Sequence, residues 1–178
     1  MLGNKTLAKY SAVSMGELLP KRIFVSDYER HLFFDADIRS SREFIESLRR
    51  LVAVCYIENF DVDVFSSSML NFIGSIKYAS DWVDELSKIH KQNIVDDAGG
   101  FILQDGNRRW VAYQRYPSGF GVFAFNSTRD IGGITELKDS FFDANDVFNW
   151  LQKNNSHDAD LVKSFGEDFL YELLENYN

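Results

Sequence analysis

From Ser40 onward the apolar positions recur with helical spacing. Phe44, Ile45, Leu48, Leu51, Val52 and Cys55 fall on one face, and Ser40 stands three residues before Glu43 as a capping box. The pattern predicts a helix running to about Asn59. The stretch "DVDVF" separates it from a second periodic run of Met69, Phe72, Ile73, Ile76, Ala79, Val83, Leu86 and Ile89, a face that Trp82 broadens. This run predicts a second long helix opening at Ser66–Ser68, with the cations of "KIHKQN" complementing the dipole at its C-terminus. The period changes at Gly99-Gly100. From Phe101 to Phe125 the chain reads as a three-stranded meander: "FILQ" leads into the hairpin signal Asp105-Gly106-Asn107, "RRWVAYQRY" returns, and Pro117-Ser118-Gly119 turns into "FGVFAF". Closing that second turn on three residues sets Tyr116 opposite Phe120 and Ala112 opposite Ala124. One face then carries Trp110, Ala112, Gln114, Phe120 and Val122, and the other Val111, Tyr113, Arg115, Phe123 and Phe125. Both are apolar enough to call for cover on each side of the sheet.

The flanks complete the outline. "RIFVSDYERHLFF" (22–34) is rich in β-branched and aromatic residues and supplies candidate strands to join the meander. Residues 1–20 read as a weakly ordered or helical arm, with Leu2, Leu7, Val13, Leu18 and Leu19 along a weak apolar line before Pro20. After a Gly-rich connector, Asp143 with Asp146 three residues on predicts an N-cap, Phe142 and Val147 forming a hydrophobic staple, for a short helix ending near Asn154-Asn155. A last helix starts around Ser156–Asp158 and uses Leu161, Val162, Phe165, Phe169, Leu170, Leu173 and Leu174; Gly166 weakens it by ~1 kcal/mol relative to Ala without ending the stripe. The expected fold class is α+β: an antiparallel meander (about 101–125), joined by strands from 22–34, packed against two long central helices and C-terminal helices in a single domain over 1–178.

Composition narrows the function. The 178 residues include 16 Phe, 8 Tyr and 3 Trp, which suits a well-packed core and also sticky partner surfaces. The formal net charge of −8 opposes phosphate backbones and favours encounter with a basic protein. Cys55, the only cysteine, leaves no internal disulfide or Cys-based zinc framework, and its place on a helical apolar face reads as a small buried hydrophobe. No stretch has the apolar length of a signal peptide core or a membrane span, so a cytoplasmic protein away from membranes is the expectation.

One stretch carries a resemblance. In "SGFGVFAF", Gly119, Phe120, Gly121 and Phe125 sit in register with the strand signature of the RNA-recognition motif, with Val122 and Phe123 in swapped order and Ser118 where that signature opens on a basic residue. "IFVSDY" (Ile23–Tyr28) is similar to the partner signature on that family's first strand. The resemblance implies neighbouring strands on which Phe24, Phe120 and Val122 meet bases, beside a basic hairpin of Arg108, Arg109 and Arg115. The 96 residues from Ile23 to Gly119 are too many for that family, which fits one helix and one strand between its signatures. The overall charge also opposes RNA, so nucleic acid is the less favoured partner.

Enzyme readings rest on acidic pairs. Asp35/Asp37 and Asp61/Asp63 are both D-x-D, and Asp96-Asp97 follows His90; such carboxylates suit Mg²⁺ or Mn²⁺ in a nuclease or a transferase. D-x-D is a weak signal among 27 acidic residues, and the other histidines, His31 and His157, come with no oriented partner. No nucleophile elbow, phosphate-binding glycine loop or H-E-x-x-H occurs. The favoured expectation is a non-catalytic acidic binding protein, similar in these general respects to bacterial immunity proteins and antitoxins, that neutralises a basic toxin and needs no cofactor or metal. Its expected contact residues are Asp61, Asp63 and Phe65, beside Phe60, with Asp96 and Asp97 before the sheet. The plain alternative for each carboxylate is loop solvation.

Overall fold

A computed structural model describes residues 9–14, 16–56, 60–93, 99–116, 119–129, 131 and 139–177. Among them, six strands form one antiparallel sheet: β1 (Arg30–Phe34), β2 (Asp61–Ser66), β3 (Phe72–Lys77), β4 (Phe101–Asp105), β5 (Trp110–Gln114) and β6 (Gly121–Phe125), in the order β1-β6-β5-β4-β2-β3. Five helices accompany it: α1 (Arg42–Cys55), α2 (Trp82–Gln92), α3 (Ala144–Leu151), α4 (Ser156–Phe165) and α5 (Glu167–Tyr177). The fold is α+β.

Alternation along the strands feeds two separate cores. Phe101, Leu103, Trp110, Ala112, Phe123 and Phe125 point to one face, where α1 covers them with Phe44, Leu48, Leu51 and Val52 and α2 with Trp82, Leu86 and Ile89. Ile102, Val111, Tyr113, Val122 and Ala124 point to the other, beneath Val147, Leu151, Val162, Leu170, Leu173 and Tyr177 of α3 to α5. Every residue of β4, β5 and β6 is buried, as a sheet covered on both faces requires. The few buried polar side chains tie loops to this slab. Gln114 accepts from Ile38 N–H (2.8 Å) and donates to Ala36 and Gly119 carbonyls, while Gln104 accepts from Ala12 N–H and donates to the Tyr10 carbonyl.

Five expectations change. The residues expected to form the first half of a long second helix are β3; its Phe72, Ile73 and Ile76 fit a helical period but also fit a short strand, and Gly74 lies where a Cβ would meet Ile89 of α2 at 2.9 Å. The helix begins only at Trp82, capped by Asp81, so the two long central helices become α1 and a shorter α2. "DVDVF" is the interior strand β2 rather than a separator. The meander register is one residue away from the expected one, with Ala112 opposite Phe123 and Tyr113 opposite Val122; a one-residue slip exchanges faces, so Phe123 and Phe125 join Trp110. The last helix is two: Gly166, at φ 94, ends α4 with its N–H on the Val162 carbonyl and restarts the chain as α5. The N-cap of α1 is Ser41 rather than Ser40. Pro117 and Ser118 of the second turn, and most of the Gly-rich connector, lie outside the described residues.

The predicted capping box at Asp143 and Asp146 is present. Of 22–34, β1 pairs with β6, and Phe24 bridges Val13, so the described part of the N-terminal arm is held as an irregular hairpin rather than a helix. No helix among the described residues is long and apolar enough to cross a membrane.

Candidate interaction site

The C-terminal layer is built on a tight framework. Phe120, fully buried, meets Phe33, Phe142, Phe165 and Phe169 at ring distances of 5.0–5.8 Å, which seats the α4–α5 junction on the sheet. Tyr177 closes the far end: its hydroxyl accepts from Ile23 N–H and donates to the Lys21 carbonyl, and its ring packs on His31. Arg22 Nε donates to the Asn176 carbonyl at the α5 C-terminus.

With the apolar stripe used inward, the outer face takes what remains, and what remains is acidic. Residues 143–177 hold eight carboxylates against two lysines, a net −6 of the chain's −8. Asp143 and Asp146 cap α3, Asp158 accepts from Asn155, and Glu167 pairs with Lys153. The side chains of Asp160, Asp168, Glu172 and Glu175 make no hydrogen bond or ion pair among the described residues. Asp168, Tyr171, Glu172 and Glu175 follow 3, 4 and 7 spacing along α5, so they form one stripe with the half-exposed Tyr171 (50%) within it. On α3, Phe148 is 56% exposed. The second half of the helix is costly in isolation: α5 has no basic residue in its last turn, and Glu172 and Glu175 stand at i,i+3 toward the negative end of the dipole, whereas Asp168 lies in the favourable first turn. Of α5, Arg22 meets the Asn176 carbonyl, and its own carboxylate partner is Asp27.

The residues expected to bind the partner lie elsewhere. Asp61, at the exposed start of β2, pairs with Lys77 at 2.6 Å. Asp63 is buried against Lys9 and accepts from Ser75 at 2.9 Å, and Phe65 is fully buried; both face inward as β2 crosses the sheet interior. Phe60 packs among Tyr56, Tyr78 and Trp110 with the Arg109 guanidinium over its ring. Asp96 and Asp97 lie outside the described residues. No run of exposed acids beside exposed aromatics forms from Asp61, Asp63 and Phe65; α5 and α3 supply that combination. A segment-by-segment charge count of the sequence would have pointed there, since the last helices hold most of the net charge.

The other chemistry is largely structural. Asp35 is exposed. Burial works to raise the Asp37 pKa, but hydrogen bonds from Arg39 and Ser40 prevail and hold it below the ordinary carboxylate value, in a loop where Arg39 also lies over Tyr116. Among the described residues no three His, Cys, Asp or Glu side chains converge as a metal site. Burial pushes the Cys55 thiol up, against the influence of Ser127, Arg30 and Arg129, which keeps it a poor nucleophile. Burial lowers the His31 pKa to about 4, so this imidazole is neutral at pH 7 beside Phe24 and Tyr177. Phe120 and Val122 lie under the C-terminal helices, so the face that the RNA-recognition resemblance assigns to bases is occupied by protein. Comparison with protein-family models, curated proteins and solved structures finds no match for this chain.

Proposed function

We propose that the chain is a non-catalytic acidic binding protein of the immunity or antitoxin type, working in the cytoplasm, that neutralises a basic toxin by direct protein–protein contact. One observation carries this reading: the net −6 of residues 143–177 is gathered on one helical layer, with four carboxylates lacking partners among the described residues, Tyr171 exposed along the α5 stripe and Phe148 exposed on α3. Concentrated negative charge steers a cationic protein into encounter, and rigid aromatic side chains supply the short-range anchor. Lys and Arg side chains arriving at α5 would also offset its like-charge and dipole cost. A toxin that uses those cations to hold a phosphate backbone would lose them to the carboxylates.

The test is co-expression with a basic toxin domain encoded beside this gene, followed by association kinetics on the purified pair. Rescue of growth, with an on-rate falling at least about tenfold between low and physiological salt, is the expected result. An on-rate independent of salt would reject the charge-steered contact, and turnover of substrate that disappears on chelation would reject the reading in favour of the metal-dependent enzyme.

A further inference from the structure

The two edges of the sheet are treated differently. β1 is closed on its outer side at Phe33, whose N–H donates to the Phe142 carbonyl (2.7 Å) and whose carbonyl accepts from Phe142 N–H (3.0 Å). The β3 backbone pairs with β2 alone and no described residue pairs with its outer edge; on one face Lys9 donates to Ser75 Oγ (2.9 Å) and lies over the Phe72 ring. Its sequence, "FIGSIK", has no proline and one charge, at its end. Phe72 (42% exposed) and Met69 (63% exposed) stand at the same corner. An open edge of β-prone residues is a template for another strand.

We propose that this edge pairs with the β3 of a second copy, extending two six-stranded sheets into one through a two-fold axis at Ser75. The choice of occupant rests on charge and register, independently of the toxin-binding reading. Among the described residues near the edge, Asp63 is matched by Lys9 and Asp61 by Lys77, and Asp81 is turned to the N-terminus of α2, so these residues contribute little to the chain's −8. The acidic C-terminal layer packs by its aromatics on Phe33 and Phe120 at the other end of the sheet. Four strand spacings, about 19 Å, separate β3 from β6, roughly two Debye lengths at physiological salt. Two copies therefore meet here without the repulsion their net charge imposes elsewhere.

Register follows from the pleat. Residues directly opposite in an antiparallel pair share a face, so a symmetric pairing must be centred on a residue rather than between two. The irregularity that sets Val64 opposite Gly74 and Phe65 opposite Phe72 leaves Ile73 as the extra residue, which confines regular pairing to the stretch after it. Centring on Ser75 puts Gly74 opposite Ile76. It also keeps the two Lys77 side chains about 14 Å apart along the strands.

Sedimentation velocity on the full chain from about 2 to about 200 µM at physiological salt should show a reversible monomer–dimer equilibrium, weak because so short an edge buries little area. Ser75→Lys places two cations face to face and should weaken the dimer at least about tenfold while the circular dichroism spectrum is retained. As a second readout, Ser75→Cys brings two thiols within disulfide reach across the axis and should give a covalent dimer on mild oxidation, whereas Lys77→Cys should not. A chain monomeric throughout that range overturns the proposal, whatever else it binds. So does a dimer in which Ser75→Lys has no effect, or one in which the two cysteine variants cross-link equally.

Discussion

The two helical layers bury comparable apolar stripes against opposite faces of one sheet, yet they end with very different outer surfaces. α1 and α2 are charge-matched: Arg42 reaches both Glu46 and Asp84, and Lys88 pairs with Glu85. Among the described residues from α3 to α5 one cation–carboxylate pair forms, Lys153 with Glu167, and the segment carries a net −6. Burial cannot account for the contrast, since Phe44, Leu48 and Trp82 are as enclosed as Val147, Leu170 and Leu173. The inward face of each layer answers to the sheet. The outward face is unconstrained by folding, and in α5 it works slightly against it.

The equivalence of the inner faces is the sharpest part of that comparison. Phe120→Ala and Trp82→Ala should each cost about 3–5 kcal/mol, read as a fall in urea midpoint at constant slope. A small loss for Phe120→Ala alone would mean that the C-terminal layer is only loosely docked. The difference between the outer faces is tested next. Reversing Asp168, Glu172 and Glu175 to Lys should slow association with a basic partner by about tenfold or more, and Glu175→Lys alone, in the last turn, should raise stability by about 0.3–1 kcal/mol. Reversing Glu43, Glu46 and Glu85 on the other layer should leave association within about twofold. Binding lost equally in both triple variants would remove the distinction between the layers.

A smaller effect separates the layers by pH. His31 packs on Tyr177 beneath α5, and its pKa falls from 6.5 when unfolded to about 4 when folded. Between these values the unfolded chain binds more protons, so stability rises with pH across about 4 to 6.5 and is lost as pH falls through that window. Partial exposure holds the loss to about 1–2 kcal/mol. His31→Phe should flatten this part of the stability profile; an unchanged slope would place the titration elsewhere. The smallest effect is at the caps: Asp143→Ala in the acidic layer and Ser41→Ala in the balanced one should each cost about 1 kcal/mol by chemical denaturation. A much larger loss at Asp143 would show that its reciprocal bond with Asp146 also holds α3 to its neighbours.

Much of this architecture was legible in advance where a local signal had one interpretation. The stripe of α1, the capping box of α3 and the Asp105-Gly106-Asn107 hairpin each rest on neighbouring residues and short-range geometry. β3 was not legible, because a short apolar run beside a true helix satisfies both periods, and only pairing with β2 selects the strand. The surroundings of Asp61, Asp63 and Phe65 were hidden for a related reason. Asp61 and Asp63 look like loop acids until β2 becomes an interior strand, which turns Asp63 and Phe65 inward. Conversely, Asp168, Glu172 and Glu175 look like ordinary surface charge until α3 to α5 share one face of the sheet.

By itself the sequence determined the class of fold, the sites of several caps and turns, the need for cover on both faces of the meander, and the sign of the molecule's field. All of these follow from residue chemistry and spacing within a few positions along the chain. Only the tertiary structure decided which strand lies at each edge, which aromatics share a face with Trp110, and where the charge gathers. Those depend on register and on contacts between residues as distant as Arg22 and Asn176, and a one-residue slip is invisible locally while it reverses every side chain across the sheet.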